Sequence, residues 1–347
     1  MAFFNSVFKD IGIDLGTSNS IIYVKQQGIV VNEPSVAAVN TKTNHILAVG
    51  DEAKKMLGRT PAHINVIRPL VNGVISDFEM TEEMLRHLLR RPSANPVVSY
   101  RRALLAIPNN LTEVERKSVE DAALNAGVSR VYLVESPTAA ALGAGLSIMA
   151  PTASFIVDIG GGTTDIAVIS MGGTVVSRTL KTAGDRFNED VIRFARDEFH
   201  LAIGEPSAEF AKITVGSAIP LDERLEVAVR GRDMSTGLPR EIGMKNNHVR
   251  TAIAKSLRSI IDSVHDVIEE APPELAGDIL SHGITLCGGG ALLRGLGELI
   301  EKETGVPVHI ADDPLTCVAR GLGQMVDDFD AHRALFDNPL KPLLINL

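Results

Sequence analysis

Short apolar runs, some alternating with polar residues and some unbroken, recur along this chain and are punctuated by glycine clusters. Phe155–Ile169, FIVDIGGGTTDIAVI, predicts a strand, a tight turn and a second strand. Asp158 ends the first strand, and Gly160, Gly161 and Gly162 are expected to adopt φ > 0 and to let a ligand approach the backbone. The pattern recurs at Ile11–Val24, IGIDLGTSNSIIYV, with Asp14, Gly16, Thr17 and Ser18 in the turn and Ile21–Val24 after it. Gly28–Val31 adds a third strand to one copy and Thr174–Ser177 to the other, so each copy is an antiparallel meander. A duplicated unit with a phosphate-type turn in each copy predicts two similar domains facing one another across a cleft.

Between and beyond the copies the periodicity changes. Val71-Asn72-Gly73-Val74 predicts a type I′ hairpin. Thr81 is expected to cap a helix with Glu82 and Glu83 first and Arg90 and Arg91 last, stopped by Pro92 and Pro96. Arg102–Ile107 is a buried strand, and Thr112 with Glu115 forms a capping box for a helix ending at Gly127. Val131–Val134 is the next strand, followed by a helix with Ser136 as N-cap and Pro137 at N1. Helices are expected at Asp185–Phe199, Ser207–Gly216 and Thr251–Glu270, with a strand at Leu225–Arg230 and a hairpin loop over Gly231–Arg240. Ile284–Cys287 leads into a third glycine turn, Gly288-Gly289-Gly290, and a helix over Ala291–Thr304. Val306–Ile310 and a Pro314–Met325 helix follow. Strand–helix alternation around two meanders implies a mainly parallel α/β sheet in each domain.

Composition narrows this picture. At 347 residues the chain fits two domains, and 45% hydrophobic with 22% charged residues reads as folded throughout. A net charge of −9 argues against nucleic-acid binding. Arg90-Arg91 and Arg101-Arg102 are read as solvated charges. Two cysteines, Cys287 and Cys317, suit a reducing compartment, and the scattered histidines suggest no zinc site. Ser136–Val157 is uncharged, but its glycines, prolines and hydroxyls read as a buried helix running into a core strand rather than a membrane span. No cleavable signal peptide is visible. In Met1–Asp10, Phe3, Phe4, Val7 and Phe8 fall at helical spacing. Two readings stay open: an amphipathic helix lying in a membrane interface, or a lead-in strand packed on the core.

At each of the two main turns, consecutive backbone amides and hydroxyls can cradle phosphate oxygens, and Asp14 and Asp158 can hold a hydrated Mg²⁺. One such turn is as readily an Asx-type turn. Two copies in the same strand context, with a third glycine turn, point to nucleotide. No P-loop pattern is present.

Asp14-Leu15-Gly16-Thr17, Asp158–Thr164 and Gly288–Gly290 resemble the superfamily of actin, heat-shock chaperones and sugar kinases. Within it the chain is similar to the bacterial MreB family of actin-like cell-shape proteins. That similarity rests on NEPSV at Asn32–Val36, MLGRTP at Met56–Pro61, IRPLVNGVISDF at Ile67–Phe78, GRDMSTGLPRE at Gly231–Glu241, APPELAGDI at Ala271–Ile279 and GGGALLRGL at Gly288–Leu296. It implies actin-like (ribonuclease H-like) duplicated domains around a central nucleotide cleft, each with a smaller inserted subdomain. The expected boundaries are 1–33, 72–150 and 312–347 (IA), 34–71 (IB), 151–185 and 249–311 (IIA), and 186–248 (IIB). ATP with Mg²⁺ is the implied ligand. Asp14, Gly16, Thr17, Ser18 and Asn19 form the first phosphate loop and Gly160, Gly161, Gly162 and Thr163 the second. Asp185, Glu209 and Lys212 match ribose- and adenine-side positions, and Gly288, Gly289 and Gly290 the adenosine-side turn. Asp14 and Asp158 are the implied metal-side carboxylates, and Thr163 positions the attacking water.

One departure bears on hydrolysis. The family places an acidic residue directly before the proline that opens the helix after Val131–Val134, where it orients water on the γ-phosphate. Here that residue is Ser136, and Glu135 precedes it by one place. Losing such a group costs ~10²–10⁴-fold in rate, so ATP binding with slow or altered hydrolysis is expected. A one-residue shift at the helix start could return Glu135 to the role. Ala183 replaces a common glycine and is tolerable if its φ is negative. The resemblance implies a weak ATPase that assembles into paired filaments at the inner face of the cytoplasmic membrane. Phe3, Phe4, Val7 and Phe8 would be the anchor and cell-wall elongation proteins the partners. Alternatives are a divergent filament paralogue with little hydrolysis, a sugar or acetate kinase, and a chaperone.

Overall fold

Strand β1 (Phe8–Leu15) organises the first sheet of the computed structural model, which describes residues 8–91 and 99–336. Its Ile11 and Ile13 are fully buried, each contributing about 1.5–3 kcal/mol by leaving water. β1 pairs antiparallel with β2 (Asn19–Val24), which pairs with β3 (Gly28–Pro34). A small sheet follows from β4 (Ala37–Asn40), β5 (Ile46–Val49) and, after helix α1 (Asp51–Met56), β6 (Ile64–Ile67). Strands β7 (Leu70–Val71) and β8 (Val74–Ile75) form the expected hairpin, with Asn72 (φ 51°) and Gly73 (φ 78°) both left-handed. Helix α2 (Phe78–Arg90), β9 (Ser99–Ile107), α3 (Glu113–Asn125), β10 (Val131–Glu135) and α4 (Ser136–Gly143) complete this stretch. The sheet order is β10-β9-β1-β2-β3.

The second sheet repeats the plan. β11 (Ser154–Ile159), β12 (Thr164–Ser170) and β13 (Gly173–Leu180) form its meander. Then come α5 (Gly184–Phe199), β14 (Leu201–Ala202), α6 (Glu205–Val215), the hairpin of β15 (Glu226–Asp233) and β16 (Pro239–Lys245), α7 (Asn246–Glu270) and α8 (Pro273–His282). β17 (Ile284–Cys287), α9 (Leu296–Thr304) and β18 (Val308–Ile310) follow, giving the order β13-β12-β11-β17-β18. In both sheets a three-stranded meander is extended by two parallel strands beside its first strand. Helix α10 (Cys317–Asp327) returns to the first sheet, packing on α4 and β1. The chain divides into unit 1, up to Leu146 and again from Thr316, and unit 2, Ser147–Leu315.

Several elements differ from expectation for local reasons. Helix α2 starts at Phe78 because Asp77 is its cap, its Oδ1 accepting from Met80 N at 3.1 Å. Thr81 is buried inside the helix and donates to the Asp77 carbonyl at 2.7 Å. The Thr112–Glu115 capping box is present. The helix expected over Ala291–Thr304 is two pieces, a 3₁₀ turn at Gly289–Leu292 and α9, because Gly295 is left-handed at φ 72°. The Pro314–Met325 helix is likewise split into a 3₁₀ turn, Pro314–Thr316, and α10. α7 begins five residues before Thr251, at Asn246. β15 and β16 extend into the loop expected at Gly231–Arg240, leaving a tip over 234–238.

Arg101 and Arg102 are not free surface charges. Their guanidinium groups lie 2.9 and 2.5 Å from Oδ2 of buried Asp10, and Arg102 also stacks 4.0 Å over the Phe329 ring. Though burial opposes it, the two arginines hold the Asp10 carboxyl below its ordinary range. Arg91 pairs with Glu33. Phe8 opens β1, paired with Ser99, and so belongs to a strand rather than to an amphipathic helix. Phe3, Phe4 and Val7 lie outside the described residues, as do Pro92 and Pro96. No described helix is long and apolar enough to cross a membrane, and the uncharged Ser136–Val157 stretch contains α4 and the start of β11.

Candidate functional site

In unit 1 the candidate turn joins β1 to β2. Asp14 sits in β1 opposite Ile21. It shows part of its surface to solvent, yet the protein packed around it pushes its carboxyl up to about 7. A Cβ at Gly16 would lie 2.7 Å from the Asn19 carbonyl oxygen, so only glycine closes this turn without displacing Asn19. Thr17 is buried, and its Oγ1 accepts from Gly73 N of the β7–β8 hairpin at 3.1 Å. Ser18 is half-buried and its carbonyl accepts from Ser35 N at 2.9 Å. Exposed Asn19 donates to Asn32 Oδ1 at 2.8 Å. Ser35, fully buried, also donates its hydroxyl to the Gly16 carbonyl at 2.5 Å and meets Ser20 Oγ at 2.9 Å. The sequence reading missed Ser35 as part of the site. Its only signal was its place inside NEPSV.

Ser136 and Glu135 stand at the start of α4. Strand β10 ends at Glu135, which takes the N-cap position without a side-chain cap bond, and Ser136 is the first helical residue ahead of Pro137. The expected assignment of Ser136 as N-cap is therefore shifted by one residue. Both side chains are half-buried. Helix α4 is set close on α10, where a Cβ at Gly143 would collide with the Cys317 carbonyl and one at Gly321 with that of Ala139.

In unit 2 the candidate turn joins β11 to β12, closed by Gly160 N donating to the Thr163 carbonyl at 2.9 Å. None of Gly160, Gly161 and Gly162 is left-handed, contrary to expectation. The left-handed residue is Gly288, at φ 76°, where a Cβ would collide with Asp158 Oδ1 and the Ile159 carbonyl. A Cβ at Gly290 would strike the Ile159 side chain, and one at Gly289 would come within 3.3 Å of Leu315. The first amides of α5 meet the turn directly: Gly184 N donates to the Gly160 carbonyl at 3.1 Å and Asp185 N to that of Gly161 at 2.8 Å. From α6, Lys212 Nζ donates to the Gly184 carbonyl at 2.9 Å, and half-buried Glu209 lies one turn earlier on the same helix. Ala183 has φ −156°, so it needs no glycine. Unit 2 therefore brings together Asp158, Gly160–Thr163, Asp185, Lys212 and Gly288.

Asp165 is the second residue missed. It stands directly opposite Asp158 in the β11–β12 ladder, is buried, and accepts from Thr163 Oγ1 at 3.1 Å and Thr179 Oγ1 at 2.5 Å. Burial pushes its carboxyl up to about 6 although both hydroxyls favour the ionised form. Its two-residue spacing from Thr163, the residue just before β12, was the available signal, since side chains two apart in an extended chain share a side. Arg294 is a third, donating to the carbonyls of Ile213 at 3.2 Å and Gly216 at 3.3 Å and so tying the end of α6 to the third glycine turn.

Among the described residues there is no cluster of three or more His, Cys, Asp or Glu able to enclose a metal. Mg²⁺ needs no such cluster, since it is usually held by one or two carboxylates while phosphates and waters complete its shell. Cys287 and Cys317 are free and buried.

The family model described as MreB/Mbl protein matches residues 8–334. Over 322 residues the chain is 48% identical to the cell shape-determining protein Mbl of Bacillus subtilis (strain 168), an alignment covering 93% of this chain and 97% of that one. Among solved structures it is similar to that of MreB 5 of Spiroplasma citri bound to AMPPNP, with a TM-score of 0.90 and 39% identity over 94% of this chain and 98% of the other. In fold it also matches the MamK double helical filament, with a TM-score of 0.77 and 22% identity over 92% and 99%.

Proposed function

The chain belongs to the MreB/Mbl family of actin-like cell shape-determining proteins, and from that premise we propose that it binds ATP with Mg²⁺ and assembles into filaments that organise cell-wall synthesis. The observation that carries the nucleotide reading is the cluster in unit 2, where Asp158, the Gly160–Thr163 turn, the N-terminus of α5, Lys212 and Gly288 meet. Backbone amides and a helix N-terminus favour anionic phosphate. Similarity to a relative solved with AMPPNP supports the same ligand here.

In this reading Gly16, Thr17, Ser18 and Asn19 serve phosphate as Gly160–Thr163 do, while Asp185, Glu209, Lys212 and Gly288–Gly290 serve the nucleoside. Bound Mg²⁺ would neutralise phosphate charge, with Asp14 and Asp158 oriented toward its water shell. Thr163, held by Asp165, would present its hydroxyl to the attacking water. The inserted subdomains are assigned to 34–71 and 186–248. Hydrolysis is slow or altered because Ser136 stands where the family carries an acidic side chain. That substitution favours a second reading, a filament paralogue with little turnover. Family membership leaves no support for the kinase and chaperone alternatives.

Filament assembly is supported by the MamK relation in fold. The proposed location is the inner face of the cytoplasmic membrane, with Phe3, Phe4 and Val7 as a weak anchor repeated along the filament. Sedimentation with ATP, ADP and no nucleotide, with electron microscopy of the pellets and phosphate release measured in parallel, tests the whole. ATP-dependent filaments are expected. A protein that binds no ATP, or binds it and never pellets, would refute the corresponding half.

A further inference from the structure

A cavity in unit 1, with a volume of about 520 Å³, runs between one face of helix α2 and the β4–β5 turn. Asn44, His45 and Ile46 form one wall, and α2 from Glu79 to Arg90 forms the other. None of the lining residues belongs to either phosphate turn. The helical period explains the α2 wall: its charged side chains recur three and four residues apart, while Met84, Leu85, Leu88 and Leu89 turn into the core.

The α2 wall offers charge in a fixed order. Glu79, Glu82 and Glu83 occupy its first half, and Arg86, His87 and Arg90 its second. Arg86 donates to Glu82 and Glu83 and, at 3.0 Å, to the Asn125 carbonyl, which neutralises the middle. A negative end is left at Glu79 and a positive end at His87 and Arg90, roughly 12–16 Å away along the helix. Burial, Arg91 and Arg90 hold the His87 imidazole below its ordinary range, against the opposing pull of Glu52 and Glu33.

The opposite wall offers backbone. Among the described residues β5 pairs only with β4, so it is the edge strand of its sheet. Asn40 N of β4 donates to the His45 carbonyl at 2.9 Å, and Gly50 N to the Val36 carbonyl at 3.0 Å. Carbonyl and amide of one trans peptide point opposite ways, so the Ile46 amide and the Val49 carbonyl face away from β4. On that open side the Val49 carbonyl accepts from Arg91 Nη2 at 3.2 Å, which sets the end of α2 along the edge. A strand edge beside a helix is a setting in which an extended peptide adds as a further strand, its backbone bonding the edge and its side chains meeting the helix.

We propose that this groove binds an extended segment of a partner protein as a strand beside β5, with a Lys or Arg over Glu79 and an Asp or Glu over His87 and Arg90. At about 3.3 Å per residue the two charges lie about four or five positions apart. Main-chain bonds to the edge supply affinity, and the order of charges supplies specificity. The site stands apart from the nucleotide and filament readings.

Selection of phage-displayed random peptides of about eight residues, long enough to span the groove, against the full-length protein tests this. Selected peptides are expected to carry a basic and an acidic residue four or five positions apart. One of them, synthesised with a fluorophore and followed by anisotropy, loses about tenfold in affinity on Glu79→Lys and on Arg90→Glu, because each reversal replaces an attraction by a repulsion. Exchanging its basic residue for glutamate restores binding to the Glu79→Lys protein. Methylating alternate backbone nitrogens on the bonded side of the peptide abolishes binding while leaving its side chains intact. Glu79 and Arg90 are both exposed, so the melting temperatures of the variants stay as in the native protein. If no selected peptide binds the native protein, or the bound one keeps its affinity for both variants, the groove is not this peptide site. Full affinity after methylation of either alternate set of nitrogens refutes strand addition.

Discussion

Asp14 and Asp158 occupy matching places in the two sheets, each two residues before the glycine that opens its turn. For Asp14, burial pushes the carboxyl to about 7, far above its unfolded value. The folded state then binds the extra proton between about pH 4 and 7, so stability contributed at this site is present at low pH and is lost as pH rises through 7. Asp14→Asn removes the ionisable group, and without nucleotide or Mg²⁺ it is expected to be more stable than the native protein at pH 8 by on the order of 2 kcal/mol. The difference should vanish near pH 4. Thermal unfolding at both pH values checks the sign, and a native protein equal to the variant at pH 8 contradicts it. At Gly288 the constraint is steric. Gly288→Ala combines a left-handed φ with a collision against Asp158 and is expected to lower stability by about 2–4 kcal/mol. Gly289→Ala, with Leu315 at 3.3 Å, should be milder. Denaturant titration of the two separates the effects.

At the scale of elements, the start of α4 decides the most. Helix and proline were expected there, and both are present, but the N-cap falls on Glu135 and the first turn on Ser136. A carboxylate restored by Ser136→Glu is expected to raise phosphate release by about tenfold or more, with ATP affinity little changed. Phosphate release in native protein equal to that of the variant would overturn the proposal that Ser136 slows hydrolysis. Such boundary shifts recur: Asp77 rather than Thr81 caps α2, and Gly295 divides the expected Ala291–Thr304 helix. In each case the hydrophobic periodicity located the element, while one side-chain hydrogen bond or one left-handed glycine chose its end.

For the whole molecule, two sheets of equal order, each a meander extended by two parallel strands, carry one glycine-containing turn apiece between the first two meander strands. Deleting Met1–Lys9 is expected to abolish co-sedimentation with liposomes while leaving ATP-dependent pelleting intact. Unchanged liposome binding would discard the anchor. Truncation at Lys9 removes Phe8 and Lys9 from β1 as well, so substituting Phe3 and Phe4 by serine is the cleaner companion.

Residue order alone determined the duplicated meanders, the glycine turns, the Asn72-Gly73 hairpin and the capping box, because alternation, turn chemistry and capping act over a few neighbouring residues. It also brought Asp14, Asp158 and Thr163 to notice. Tertiary structure decided what surrounds them: that Asp165 holds Thr163, that Ser35 braces the first turn, that Gly288 rather than Gly160–Gly162 needs the left-handed backbone, and that Arg101 and Arg102 clamp a buried Asp10. Apart from the Thr163–Asp165 bond, whose partners are two residues apart, these depend on residues distant in the chain. Burial and the carboxyl shifts that follow from it arise only when distant segments pack together and exclude water.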